Sequence, residues 1–331
     1  MTQFWFAAST EEFPPSQMVE QATAAGKAGF DGLATSDHFA PWFPEGAGTS
    51  AWAVLPAMAS QVPDGPFGTA VTPIVHHYHP GFVAQYWMSL EELFPGRPYL
   101  GVGSGEALNE VPLGLDWPEP GEMLERFDQG LDAIWRLWHG ETVTMDAGWF
   151  RLKEAKLYTR AGDRRPRMYV SAFGPKAAAI AGKRGDGLWT LGDPDSAPEV
   201  IDAYKEACER HGKEVGEIIV QSGFHLSDDE QEAIAHARKW KATQLDEVYL
   251  RDLHDPAEMT AKAHAQMSDE EFAKEGFMVG ADAGEQVERI RQMQELGATV
   301  VCLQLMGDHD PLGSIRRYGD EVLPALRKTP V

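Results

Sequence analysis

Eight short apolar runs recur along the chain, at residues 4–8, 32–35, 68–71, 99–102, 168–171, 187–191, 218–223 and 299–305. Their hydrophobicity is continuous rather than alternating, which marks strands covered on both faces and therefore paired in parallel. Between nearly all of them lies an amphipathic segment long enough for a helix. Eight such strands alternating with helices predict an α/β fold closed into a (β/α)8 TIM barrel, and 331 residues fit within one such unit.

The helices mark their own ends. Ser16 predicts a cap for a helix running to Gly29, Pro80 starts one that stops before Pro95, and Pro175 opens another that closes near Gly185. Segment 122–139 places Leu124, Phe127, Leu131, Ile134 and Leu137 at spacings of three and four, an inward stripe flanked by Trp135 and Trp138 as core or interface residues. Two insertions interrupt the alternation. Residues 142–158, with a turn at Asp146 to Gly148, predict a hairpin, and the charged stretch 227–274 predicts a helical lid over one end of the barrel. Residues 282–296 then return to a regular helix. With no repeat beyond the alternation and no low-complexity tract, the expected organisation is a single domain over 1–331.

Charge narrows the partners. Fifty-one acids against 29 bases give a net charge of −22, which repels a phosphate backbone, so nucleic acid is not an expected partner. Cys208 and Cys302 lie far apart and read as free thiols in a reducing compartment. The N-terminus lacks a basic start and a long apolar segment, and no run approaches the roughly 20 residues needed to cross a bilayer. The expectation is a cytoplasmic protein without a membrane partner.

Two stretches carry candidate chemistry, each where a predicted strand hands over to a loop. Residues 36–42 read SDHFAPW and residues 101–110 read GVGSGEALNE. In the first, His38 can take a proton near neutrality and Asp37 can orient it, or the ring simply caps a loop. In the second, glycines let the backbone approach a ligand around Glu106, or form a plain strand-to-helix turn. The pattern is neither a dinucleotide fingerprint nor a phosphate loop. His76, His77 and His79 match no familiar ligand spacing, so they read as a polar loop at the barrel mouth and no metal is expected. Gly174, Pro175 and Lys176 open a helix and, with Lys183 and Arg184, offer the best candidate anion site of an acidic chain, or else a plain helix start with solvated bases.

These stretches, with GRPYLGVG at 96–103, ERF…LWHGETVTMDAGWFRLKEAKLY and SAFGPKAA…AGKRGDGLW, resemble the F420-dependent glucose-6-phosphate dehydrogenase family of the bacterial luciferase-like superfamily. The likeness runs almost without gaps as far as Trp189 and is patchy beyond, around 255–259 and the last two helices. It implies a luciferase-like barrel, a homodimer, and coenzyme F420 held at the C-terminal mouth for oxidation of an alcohol. By the same resemblance His38 takes the hydroxyl proton while hydride passes to C5 of the deazaflavin, Trp42 stabilises that arrangement, and Glu106 protonates or hydrogen-bonds the ring near N1. The acid and the base would then face each other across the ring. Asp37, Ser104, Gly105, Asn109, Ser171, Ala172, Phe173, Gly174 and Lys176 fall at cofactor contacts, and Ala70 and Val71 fall where the superfamily often has a non-prolyl cis peptide.

The sequence also departs from that family. Its sugar-phosphate members grip phosphate with three basic residues, whose counterparts here are Pro194, Tyr249 and Glu275. A phosphate against Glu275 and Asp193 would meet repulsion. Phe43, His76, Tyr78, Trp189 and Tyr249 instead suggest a pocket for a neutral, partly apolar alcohol, oxidised to a ketone or aldehyde. The competing readings are an F420-dependent sugar-phosphate dehydrogenase, an FMN-dependent luciferase-like monooxygenase using dioxygen, and a barrel that binds cofactor without turnover.

Overall fold

The computed structural model describes residues 2–75, 77–250, 253–275 and 277–328. Eight parallel strands close into a barrel: β1 (Gln3–Ala8), β2 (Gly32–Thr35), β3 (Phe67–Thr69), β4 (Pro98–Gly103), β5 (Arg167–Ser171), β6 (Gly187–Leu191), β7 (Glu217–Leu226) and β8 (Val300–Leu305). Closure is made by β8 against β1, with Gln3 opposite Val300 and Phe6 opposite Leu303. The strands match the apolar runs to within a few residues, with two informative differences. The third run is broken, because β3 ends at Thr69, the Ala70–Val71 peptide is cis, and Thr72–Pro73 pairs separately with β4. The seventh is longer, since β7 continues to Leu226 and its end pairs with a short strand, Met278–Gly280, that gives the extra backbone a partner.

The first helix spans Pro15–Ala28 with Pro14 at the cap position. Ser16 is therefore not the cap: a proline at the first helical position presets φ there, and Ser16 lies inside the first turn. Gly29, with φ of 89°, ends the helix as expected. In helix Pro120–Trp138 the buried stripe is Met123, Phe127, Leu131, Ile134 and Leu137, with Met123 in the place expected of Leu124. Trp138 is core, its indole N–H donating to the Ala84 carbonyl at 3.0 Å, while Trp135 is half-buried under the Arg165 guanidinium. Residues Val143–Asp146 and Arg151–Ala155 form an antiparallel hairpin.

Three apolar clusters divide the interior. The largest lies between the barrel and its helices. A second fills the barrel itself with Trp5, Tyr99, Tyr169 and Trp189, the Trp5 and Tyr99 rings stacked at 4.8 Å. Glycines on neighbouring strands make room for these rings. A Cβ on Gly32 would stand 2.7 Å from the Trp5 indole, one on Gly187 would stand 2.9 Å from the Tyr169 ring, and one on Gly68 would stand 2.5 Å from the Tyr99 ring and closer still to the Tyr99 carbonyl. Three of the polar tips donate to fixed oxygens, Trp5 to Gln3 at 2.9 Å, Tyr99 to the Leu33 carbonyl at 3.0 Å and Trp189 to Gln221 at 2.7 Å.

The third cluster joins Trp42, Phe43 and Leu108 to apolar residues of the segment after β7, which contains helices Glu230–Ala237, Pro256–Gln266 and Asp269–Glu275 and a 3-10 stretch, Arg238–Gln244. That segment thus packs on the loops at the C-terminal end of the barrel. No helix among the described residues is long and apolar enough to cross a membrane.

Because the Gly68 clash is with backbone, the strands must part to relieve it. Gly68→Ala is expected to lower the unfolding free energy by at least about 2 kcal/mol, as measured by urea denaturation, whereas an unchanged midpoint would contradict the notch-and-ring packing.

Candidate active site

A cavity of about 400 Å³ opens at the C-terminal ends of the strands, and most residues singled out from sequence line it. Asp37, His38 and Trp42 come from the loop after β2, Ala70 and Val71 from the cis bond after β3, and Ser104, Gly105, Glu106 and Asn109 from the turn after β4. Ser171, Ala172, Phe173 and Gly174 follow β5. Tyr249 closes over them from the segment after β7, its ring 6.0 Å from Trp42 and 5.6 Å from Phe173.

His38 is the centre. Its Nε2 lies 3.6 Å from Glu106 Oε2 and 3.6 Å from Glu11 Oε1, while its Nδ1 turns toward the loop backbone and lies 3.3 Å from the Asn109 amide nitrogen. The imidazole and the Glu106 carboxylate therefore meet directly. A planar ring cannot lie between them at this distance, so the expectation of an acid and a base facing each other across the cofactor is corrected: a bound ring has to lie alongside the pair.

Glu11 went unread in the sequence, although the signal was present, because it lies three residues past the end of β1, at the same kind of strand end as His38 and Glu106. Its side chain is 2% exposed and is held by Ser36 and by Thr10, the latter donating at 3.2 Å. Burial is the largest influence on His38 and favours the neutral ring, but the charges of Glu11, Glu106 and Asp37 and a backbone hydrogen bond at Ala40 together outweigh it and raise the pKa. Burial also raises Glu106, with Glu11 and Glu110 adding to the rise and His38 opposing it. Glu106 Oε2 has no hydrogen-bond partner, which leaves it available to a ligand.

Asp37 and Asn109 line the cavity, but their side chains are engaged elsewhere. The Asp37 carboxylate accepts from Thr72 at 2.7 Å, Trp52 at 2.9 Å and Tyr78 at 3.1 Å. Burial raises its pKa, opposed by those hydrogen bonds and by the charge of His77. Asn109 Oδ1 accepts from the Phe39 and Ala40 amides at 2.9 and 3.3 Å, which fixes the loop that carries His38.

Two of the expected pocket residues, Phe43 and Tyr78, and one expected cofactor contact, Lys176, lie away from the cavity, and one pocket residue falls outside the described structure. Tyr78 stacks on Trp52 at 4.4 Å and serves Asp37 rather than the cavity. Phe43 is 1% exposed and packs edge-on to Trp240 at 5.4 Å, so the residue next to Trp42 in sequence turns the other way. Trp189, like Tyr249, does line the cavity, from below, as part of the aromatic filling of the barrel. Lys176 is exposed in the first turn of helix Pro175–Arg184 and does not line the cavity. His76 lies outside the described residues.

The floor and the outer wall were also not read from sequence. The floor is an oriented amide chain: Gln221 donates to Gln304 at 2.6 Å, and Gln304 to Ser9 at 2.9 Å. The outer wall is Trp240, Thr243, Gln244 and Phe277, brought in by the segment after β7. Among the described residues, no lysine or arginine lines the cavity.

Residues 1–300 match the family described as luciferase-like monooxygenase. An F420-dependent glucose-6-phosphate dehydrogenase of Nakamurella multipartita is 35% identical over 335 residues, covering 98% of this chain and 96% of that protein. Its counterpart from Mycolicibacterium smegmatis is 32% identical, covering 98% and 97%. Among solved structures, an F420-dependent secondary alcohol dehydrogenase in complex with an F420-acetone adduct superposes with a TM-score of 0.92 at 30% identity over 99% of both chains. The F420-dependent tetrahydromethanopterin reductase of Methanopyrus kandleri shares the fold, with a TM-score of 0.78 at 17% identity over 98% of this chain and 99% of that one. The chain belongs to the luciferase-like family, on the branch that holds the F420-dependent glucose-6-phosphate dehydrogenases.

Proposed function

We propose that the protein is an F420-dependent dehydrogenase that oxidises a neutral, partly apolar alcohol to a ketone or aldehyde, with His38 as the general base. The observation that carries this reading is the composition of the cavity: an imidazole between two carboxylates, aromatic walls, and no cation among the described lining residues to hold a phosphate. The solved secondary alcohol dehydrogenase, similar over the whole chain, supports the alcohol, and the relatives named for glucose 6-phosphate support the cofactor.

The residues present suit a flat deazaflavin. Ala70, Val71 and Ala172 offer a smooth platform, Gly105 adopts a φ of 91° in the turn beneath Glu106, and a Cβ on Gly174 would meet nothing within 4 Å, so backbone there is open to approach. When bound, F420 supplies the hydride acceptor. The protein supplies the proton chemistry: as the C–H electron pair leaves with its hydrogen, the O–H proton of the alcohol passes to His38 Nε2 and a C=O bond forms. Glu11 and Glu106 stabilise the imidazolium that results, and Glu106 Oε2, 3.6 Å from His38 Nε2 and accepting no hydrogen bond, would hydrogen-bond or protonate the ring. Trp42, with its ring 5.5 Å from His38, walls that face. We extend the reading to a homodimer working in the cytoplasm, as the resemblance to the dehydrogenase family suggests.

Three measurements test this reading. His38→Ala should lower kcat by at least about 10²-fold, the size of a lost general base, while F420 affinity from fluorescence titration stays within a few-fold. Equal loss of both would remove His38 from that role. Steady-state assays with isopropanol, cyclohexanol, a sterol-like alcohol and glucose 6-phosphate should give turnover with the neutral alcohols, and efficient turnover of the sugar phosphate alone would overturn the substrate assignment. The pH dependence follows from the raised pKa of His38. Oxidation needs the neutral ring, so the rate should rise with pH through a midpoint above the ordinary histidine value, and Glu11→Gln, by removing one of the charges that hold the proton on, should move that midpoint to lower pH. An unmoved or upward-moved midpoint would show that His38 is not the titrating group.

A further inference from the structure

Next to Glu11 in sequence is a second buried carboxylate that touches neither the cavity nor His38. Glu12 turns away from the barrel axis into the segment after β7, where its side chain is 1% exposed. Its Oε1 forms an ion pair with Lys239 Nζ at 2.7 Å, and its Oε2 accepts from the Trp240 indole N–H at 3.0 Å and from the Gly307 amide at 2.9 Å. Lys239 also reaches Asp308 at 3.0 Å, and its ammonium lies 5.2 Å from the centre of the Phe43 ring. Neither Glu12 nor Lys239 lines the cavity, but Trp240 does, together with Thr243 and Gln244 a few residues on.

Burying a carboxylate is costly unless it is fully partnered, and a purely apolar contact would have held a tryptophan here more cheaply. What the carboxylate adds is direction. An apolar wall can slide, whereas an indole N–H that donates to a fixed oxygen has one orientation. That oxygen is carried on the short loop whose previous residue contacts His38, so the outer wall and the acid-base group share one anchor.

We propose that Glu12 is a positioning residue: its buried carboxylate, with Lys239 as counter-charge, fixes the Trp240 wall and sets how closely the cavity encloses the alcohol, without touching substrate or cofactor. The part about the alcohol rests on the function proposed above, while the anchoring of the wall does not.

The test uses Glu12→Gln, Lys239→Met and the double variant. Glu12→Gln keeps an oxygen for Trp240 and Gly307 but turns an amide N–H toward the Lys239 ammonium, and Lys239→Met leaves Glu12 unpaired. Together they form a neutral pair. Hydrogen exchange at residues 238–249 in protein free of F420 should rise at least about tenfold in each single variant and return toward the native rate in the double, with the barrel strands unchanged. With isopropanol or cyclohexanol, KM should rise in the singles while kcat stays within about threefold, and the double should regain the native KM. Native exchange in both singles, simple addition of effects in the double, or loss confined to kcat would overturn the proposal. If a single variant does not fold, the double still decides: a folded double variant with native exchange at 238–249 supports the anchor, and failure of the double overturns it. Restored exchange without turnover of any alcohol would uphold the anchor and overturn the substrate assignment instead.

Discussion

The mouth of this barrel rests on what fills its interior. Four aromatic rings from β1, β4, β5 and β6 fill the middle of the barrel, and they fit because glycines on β2, β3 and β6 lack the Cβ that would collide with them. The rings are buried and closely packed, and three of them are held at their polar tips, so the layer above them is fixed in height. On that layer stand Gln221 and Gln304, and around it the loops that carry Glu11, His38 and Glu106 leave the strands. Packing in the middle of the barrel thus determines where chemistry can occur at its end.

The electrostatics of the mouth follow from an excess of acid. Glu11, Asp37 and Glu106 border one small cavity in a chain of net charge −22. Their treatment differs. Asp37 is met by three donors and becomes structural, whereas Glu11 and Glu106 both approach one imidazole nitrogen. The carboxylate charges raise the pKa of His38 and burial raises that of Glu106, so both groups hold protons more tightly than they would in water. The same field resists an anionic substrate.

The strands were legible because parallel strands buried on both sides leave an uninterrupted apolar signature, and the helices because prolines and glycines punctuate them. The turns that carry His38 and Glu106 were legible by position, each just past a strand. Glu11 obeyed the same rule and was overlooked because no histidine or glycine drew attention to it. Two side chains were misplaced from sequence: Phe43 follows the cavity residue Trp42 but turns the opposite way onto Trp240, and Tyr78 is drawn to the Asp37 carboxylate and the Trp52 ring, choices that only tertiary packing decides. The wall built by residues 240–249 and Phe277 had no signature at all, since its position depends on contacts made across more than two hundred residues of chain, such as Trp240 with Glu12, 228 positions apart.

That wall has an evolutionary corollary. Glu11, His38, Glu106 and the cis peptide come from strand ends spread through the barrel, while the outer wall of the cavity comes from one contiguous stretch between β7 and β8. Selection can rewrite that stretch, by point change or by exchange of the whole block, and leave the redox machinery intact. Recognition and reaction are thereby written in separable parts of one chain.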